Sequence, residues 1–282
     1  MNHSLNHAMI DGEEARTAQA YADNFGTPGF DDPSQMYIQP QYDGYTEENQ
    51  ETWTTLYDQQ MVYLVDHASD VYLSGAKAIN LVREHIPYLA GPKSVNTFLK
   101  ELTGWQSRAV PGYLPAKAFF ACLSRREFPT TVVIRPKESI DYLPEPDIFH
   151  DIFGHVPLHA DPVFADFLQT YGKAALLTED PFHIERLARV FWFTVEFGLI
   201  RENGALKLYG SGLISSPGES THALESPEVE RRPFDLDMVC DTTFEIDHYQ
   251  PILYVLDSFE QLRDAMTEYA ERIIEESSTT AS

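Results

Sequence analysis

Apolar positions recur at three- and four-residue spacing through much of the chain, the period of helices that bury one face. The first such run follows Thr46-Glu47-Glu48-Asn49, a helix-start pattern, and continues through Trp53, Leu56, Tyr57, Met61, Leu64, Val65 and Ala68. Shorter helices are predicted over Tyr72 to Glu84, Ser94 to Leu102 and Ala116 to Arg125, with Pro111-Gly112-Tyr113-Leu114-Pro115 as a turn between the last two. The β-branched run Thr130 to Ile134 predicts a strand closed by Arg135, and Pro136 to Ser139 a turn. Helical periodicity returns over Pro162 to Leu176 and Ile184 to Glu196. Leu206 to Gly212 suggests a short strand and turn. A last long helix is expected over Pro251 to Ile274, on the pattern Leu253, Val255, Phe259, Leu262, Ala265 and Tyr269.

With no internal repeat and no linker, the pattern implies one mainly α domain with a few short β-strands over residues 50–272, followed by a tail at 273–282. Residues 1–49 are polar and lack a sustained period, so they are expected to form an arm wrapped on the surface or partly disordered. His3 and His7 in that arm are four apart, as in a helical metal pair, but solvated terminal histidines are the simpler reading.

Composition narrows the function classes. The chain has 282 residues, 43% of them hydrophobic, enough for a sizeable core. It has neither a long apolar run nor a signal-peptide pattern, so a cytoplasmic protein is expected. The net charge of -24 disfavours nucleic acid and anionic membranes as partners. Cys122 and Cys240 read as buried small hydrophobes, not as a disulfide framework.

The candidate chemistry lies in Pro144-Glu145-Pro146-Asp147-Ile148-Phe149-His150-Asp151-Ile152-Phe153-Gly154-His155-Val156-Pro157 and in Glu196, within Phe191-Trp192-Phe193-Thr194-Val195-Glu196-Phe197. Two histidines and a carboxylate among large apolar residues fit a facial triad for non-haem ferrous iron. A regular helix would rotate about 500° between His150 and His155, splaying their rings by about 140°, so the helix is expected to bend or end there, with Gly154 and Pro157 as the means. Two zinc-protease histidines stand four apart with a catalytic Glu between them, unlike this pair. Three separately satisfied core residues remain the alternative. Against it, Glu196 has no adjacent cation in sequence, and an unpaired buried carboxylate costs several kcal/mol.

These two segments, within a match from about Thr52 to Tyr269, resemble the pterin-dependent aromatic amino acid hydroxylases, and among them the short bacterial phenylalanine-hydroxylating type. The resemblance implies that family's catalytic-domain fold and a mono-oxygenase that uses Fe(II), a tetrahydropterin and O2 to hydroxylate an aromatic amino acid. It assigns His150, His155 and Glu196 as iron ligands. It assigns Arg135 to the substrate carboxylate, with Asp147 holding the arginine, Ser215 adding a hydrogen bond, and Pro146, His150 and Trp192 walling the ring. Phe119 stands at the pterin-stacking position, with Gly112 and Leu114 at the pterin edge. Glu145, counted with the catalytic groups, and Asp151 are the acidic candidates on the pterin side. Asp151 replaces a longer Glu of the animal members, and Leu143 replaces a Thr. Ile246, where the tyrosine-hydroxylating branch carries an acid, favours phenylalanine, with tryptophan as the alternative substrate. A chain of this length also implies an unregulated monomer. A zinc hydrolase on the same ligands, or a non-catalytic metal- or amino-acid-binding protein, are the rival classes.

Overall fold

The computed structural model describes residues 33–280 apart from 113, 141–145 and 246–247. Helix α1 (Glu47–His67) starts where the sequence placed it: the Thr46 side chain accepts from the Asn49 amide and the Asn49 side chain answers, a reciprocal cap. Trp53, Leu56 and Leu64 are buried, whereas Val65, expected on that face, is 53% exposed. Helix α2 (Asp70–Ala78) is shorter than expected because Asn80 takes a left-handed φ of 53° that ends the turn. α3 (Val95–Leu102) leads into β1 (Gln106–Val110). α4 (Ala116–Ser124) then crosses over to β2 (Glu127–Thr131), which pairs parallel with β1.

The β2 strand lies upstream of the expected 130–134. Its ladder stops at Thr131, whose amide turns to the Asp151 carboxylate at 2.7 Å, and Val133 is left 63% exposed. Val133 instead offers its carbonyl to the Ile148 amide at 2.8 Å, so the end of this strand is tied directly to the candidate metal segment.

Helix α5 (Pro162–Ala175) is capped by Asp161, and α6 (Pro181–Phe191) by Asp180, each with proline in the first turn, where no amide partner is needed. β3 (Leu199–Glu202) and β4 (Ala205–Leu208) form a hairpin through Asn203 and Gly204, both at positive φ, the geometry an Asn-Gly turn supplies at least strain. Then follow α7 (Ser211–Ser215), α8 (Pro217–Glu225), β5 (Glu230–Pro233) and α9 (Leu236–Asp241).

The expected helix over 251–274 divides. Ile252–Leu256 is strand β6, and α10 spans Phe259–Thr280. Leu253, Tyr254, Val255 and Leu256 are all buried, as a strand demands when it is flanked by β3 and β5 in the sheet order β4-β3-β6-β5. The Ser258 hydroxyl accepts the Gln261 amide and starts the helix beyond.

The fold is thus mainly helical around one hydrophobic cluster running from Trp53 to Ile273, and both cysteines are buried and free. Residues ahead of α1 lie against this body: Ile38 bonds the Ala109 carbonyl at 2.9 Å and the Tyr37 hydroxyl reaches Glu127 at 2.8 Å. His3 and His7 lie outside the described residues.

Candidate active site

The helix does not stop between His150 and His155. Phe149–His155 is a π-helical segment. Closing i→i+5 turns widens the helix so that residues five apart share a face, which resolves the splay a regular helix would impose. The two Nε2 atoms approach to 3.1 Å with the rings nearly perpendicular at 86°. Gly154 does not end the helix. It admits α7, since a Cβ there would lie 3.1 Å from the Ser211 carbonyl oxygen and 3.2 Å from its Cβ. A second π segment, Trp192–Glu196, closes α6 and delivers Glu196 to the same point.

His150 Nε2, His155 Nε2 and a Glu196 carboxylate oxygen form a group whose ligand atoms all lie within 4.8 Å of one another. Glu196 Oε1 is 3.3 Å from His155 Nε2, and Oε2 is 3.6 Å from His150 Nε2. Proton counting orients His150. The Ser215 hydroxyl donates its only proton to the Ser211 carbonyl at 2.8 Å, so at 2.9 Å it accepts from His150 Nδ1–H. The lone pair of Nε2 then faces Glu196.

Burial works against ionising Glu196, but the His155 and His150 rings and the Ser211 hydroxyl hold its pKa down at about 2. Burial lowers that of His150 to about 4. Glu196 Oε1 is buried and has no hydrogen-bond partner among the described residues. A buried carboxylate oxygen with no hydrogen-bond partner among the described residues, beside the His150 Nε2 lone pair and the His155 ring, fits a divalent cation.

Arg135 and Asp147 form a second buried constellation. The guanidinium grips the carboxylate through Nε and Nη2 at 2.8 and 2.9 Å, and the Arg135 amide adds a third bond at 2.9 Å. Asp147 also accepts the His150 amide at 3.0 Å. Against the cost of burial, Arg135 keeps its carboxyl below the ordinary range. With Nη1 on the Ile140 carbonyl at 3.3 Å, three of the five guanidinium N–H groups are committed among the described residues, and the other two have no acceptor among them.

The remaining expected residues are distributed around these two groups. Pro146 is half-buried immediately before Asp147. Trp192 is buried, stacks on Phe244 at 4.6 Å and donates its indole N–H to Gln250 at 2.9 Å. Phe119 is buried edge-to-face against Phe128 and Phe191, and both of those rings touch His155. Leu114 is buried and Gly112 has φ 149°, a conformation open to glycine. Asp151 Oδ2 accepts the Thr131 amide and hydroxyl at 2.7 and 2.8 Å, and burial raises its pKa to about 7 despite the nearby His155. Glu145, Leu143 and Ile246 lie outside the described residues.

Sequence reasoning missed Ser211, which donates to Glu196 Oε2 at 2.7 Å, and Gln250, whose amide also donates to the carbonyls of Glu245 and His248 at 2.7 and 3.1 Å. The repeat of serine at 211 and 215, one helical turn apart, was a signal for the first. Nothing near position 250 pointed to the second.

Two π segments converging two histidines and one carboxylate define a mononuclear facial-triad metal centre in a mainly helical domain. The family model described as biopterin-dependent aromatic amino acid hydroxylase matches residues 39–280, and the chain belongs to that family. A phenylalanine-4-hydroxylase of Ralstonia nicotianae is 45% identical over 221 residues, 78% of this chain and 70% of that protein. The tyrosine 3-monooxygenase of Rattus norvegicus is 42% identical over 234 residues, 81% of this chain and 46% of that protein. A crystal structure of Chromobacterium violaceum phenylalanine hydroxylase with bound Fe(III) superposes with a TM-score of 0.81 at 37% identity, covering 92% of each chain. Another, with iron(III) and 7,8-dihydrobiopterin, gives 0.80 at 36% identity, again over 92% of each.

Proposed function

We propose that the protein hydroxylates L-phenylalanine to L-tyrosine with Fe(II), a tetrahydropterin and O2, with L-tryptophan as the alternative substrate. The observation that carries the reading is the bridging role of Asp147, which binds the Arg135 guanidinium and the His150 amide at once. A substrate held by Arg135 is thereby held in register with a metal ligand. Family membership supports the reaction class, and the similarity to phenylalanine-4-hydroxylases supports phenylalanine.

In this reading His150, His155 and Glu196 hold the iron, and the two uncommitted N–H groups of Arg135 take the substrate carboxylate bidentately. Ser215, whose hydroxyl proton is on the Ser211 carbonyl, would have to release that bond to add a hydrogen bond to the same carboxylate. Pro146, the His150 ring and Trp192 hold the aromatic ring in an apolar pocket and exclude water from it. Phe119, with Gly112 and Leu114, faces the pterin, with Glu145 and Asp151 as the acidic groups on that side. When bound, ferrous iron supplies dioxygen activation, with the pterin as the two-electron donor. A cytoplasmic monomer is part of the proposal. Among the described residues no helix is long and apolar enough to cross a membrane, and the strongly acidic charge opposes self-association.

The test is product analysis by mass spectrometry on metal-stripped protein reloaded with ferrous iron, using phenylalanine, tyrosine and tryptophan under air, with and without tetrahydropterin. Tyrosine formed from phenylalanine, dependent on both iron and pterin, is the expected result. Absence of a pterin-dependent product from all three amino acids overturns the proposal, and activity with zinc alone would move it to a hydrolase.

A further inference from the structure

The five-residue helix α7 touches two of the three proposed metal ligands. Ser215 at its end fixes the His150 ring through Nδ1, and Ser211 at its start donates to Glu196 Oε2 at 2.7 Å. Both serines are buried, Ser211 completely. The helix lies this close because residue 154 has no side chain, its backbone resting against Ser211.

The two oxygens of Glu196 are consequently unequal. Oε2 accepts the Ser211 hydroxyl, while Oε1, 3.3 Å from His155 Nε2, has no hydrogen-bond partner among the described residues. A carboxylate with one oxygen tied by a charge-assisted bond is biased to offer only the other to a cation, because chelation through both would weaken or break that bond.

We infer that Ser211 is a positioning residue that makes Glu196 a one-oxygen ligand through Oε1 and so preserves an open coordination position for the reactants. The inference rests on the ligand set proposed above. Its physical content is a competition: the hydroxyl and the cation would share Oε2, and the short neutral-to-anion hydrogen bond keeps the cation to Oε1. The Ser211 hydroxyl has a weaker outlet, the Val195 carbonyl at 3.2 Å, so a chelating Glu196 would not leave it without an acceptor, and the shorter bond decides the outcome.

The test compares wild type, Ser211→Ala and Glu196→Ala, each first checked for folding by circular dichroism and thermal melting. Co(II) affinity is measured against a competing chelator, and the number of metal-bound waters by proton relaxation of the Mn(II)-loaded proteins. Ser211→Ala is expected to weaken Co(II) binding about 10- to 100-fold and to lose one bound water as Glu196 swings to chelate. A folded Ser211→Ala protein with unchanged relaxation overturns the inference, whatever its Co(II) affinity. Should that variant not fold, the Co(II)-minus-apo infrared difference spectrum of wild type labelled with 13C-glutamate decides. The wide carboxylate stretch splitting of a one-oxygen ligand supports the role of Ser211, and the narrow splitting of a chelate sinks it. Wild type that binds no Co(II), or Glu196→Ala that binds it as wild type does, refutes the ligand set itself, a different failure from an inert Ser211.

Discussion

The His150, His155 and Glu196 cluster and the Arg135–Asp147 pair are neighbours, both buried and both joined to the same π segment, yet their electrostatics are opposite. In the pair every strong acceptor meets donors: both Asp147 oxygens are bonded to the guanidinium, one also to the Arg135 amide and the other to the His150 amide. In the cluster the two histidine Nε2 atoms lie 3.1 Å apart beside the carboxylate, and Glu196 Oε1 has no hydrogen-bond partner among the described residues. A satisfied buried ion pair holds geometry. A buried convergence of two imidazoles and a carboxylate fits a cation. The difference shows how one short stretch can contain both a satisfied ion pair and a group of metal-ligand side chains, with Asp147 tied to each.

Breaking the cluster has the largest expected effect. Glu196→Ala removes the anionic ligand, and hydroxylation should fall by more than about 100-fold, beyond the usual cost of changing an outer residue. Anaerobic iron titration beside the product assay checks this, and an iron-replete, active variant would contradict the assignment of Glu196.

Breaking the pair should act on stability as well as on substrate. Asp147→Ala leaves the Arg135 guanidinium buried without its counter-charge, a loss of about 3–5 kcal/mol, with a raised KM for the amino acid in whatever folded protein remains. Urea unfolding and steady-state kinetics measure the two. The sign with pH follows from the same contact. Asp147 has a folded pKa below its unfolded value, so its contribution is present above the ordinary aspartate range and is lost as pH falls through the depressed pKa.

A smaller effect is expected at the pocket wall. Gln250→Ala strips the buried Trp192 indole N–H of its acceptor and frees the carbonyls of Glu245 and His248, costing about 1–3 kcal/mol. If Trp192 lines the substrate pocket, KM should rise more than kcat falls, and a variant with wild-type KM would separate the tryptophan from the substrate.

The smallest effect sharpens the contrast between histidines. His155 and His159 lie against the same Phe128 ring at 4.8 and 4.9 Å, but neither nitrogen of His159 has a hydrogen-bond partner among the described residues, and it stacks on Trp105 at 4.8 Å. His159 acts as an aromatic filler. Burial drives its pKa well below the ordinary value, so the stability it permits is present above about pH 6.5 and lost as pH falls below it. His159→Phe should leave activity intact, keep stability within about 1 kcal/mol at neutral pH and flatten the metal-free protein's loss of stability between about pH 6.5 and 5. Thermal melts across that range measure the slope, and an unchanged slope would assign the acid sensitivity elsewhere.

Much of the helical framework was legible in the chain. The Thr46 cap, the Trp53–Leu56–Leu64 face, the Pro162 start and the triad residues all use local rules: capping, period and the cost of a lone buried carboxylate. What misled was the same rules applied where distant contacts dominate. The Leu253 and Val255 positions fit a helical period as well as a strand, and only their place between β3 and β5 decides for the strand. Thr130 to Ile134 has the residues of a strand, but Asp151 draws the Thr131 amide out of the ladder.

The π turns are the clearest case of this division. From the sequence alone, a five-residue spacing is incompatible with two ligands on one regular helical face, which requires some local departure. Which departure it is, a break or a widened turn, depends on α7 resting against Gly154 and on Asp147 and Ser215 fixing both ends of His150, contacts between residues up to 65 positions apart. Residue types and spacing therefore determined the metal chemistry on offer. Only tertiary packing decided the direction of each lone pair, because hydrogen bonds between distant segments outweigh the local preference of a few turns of helix.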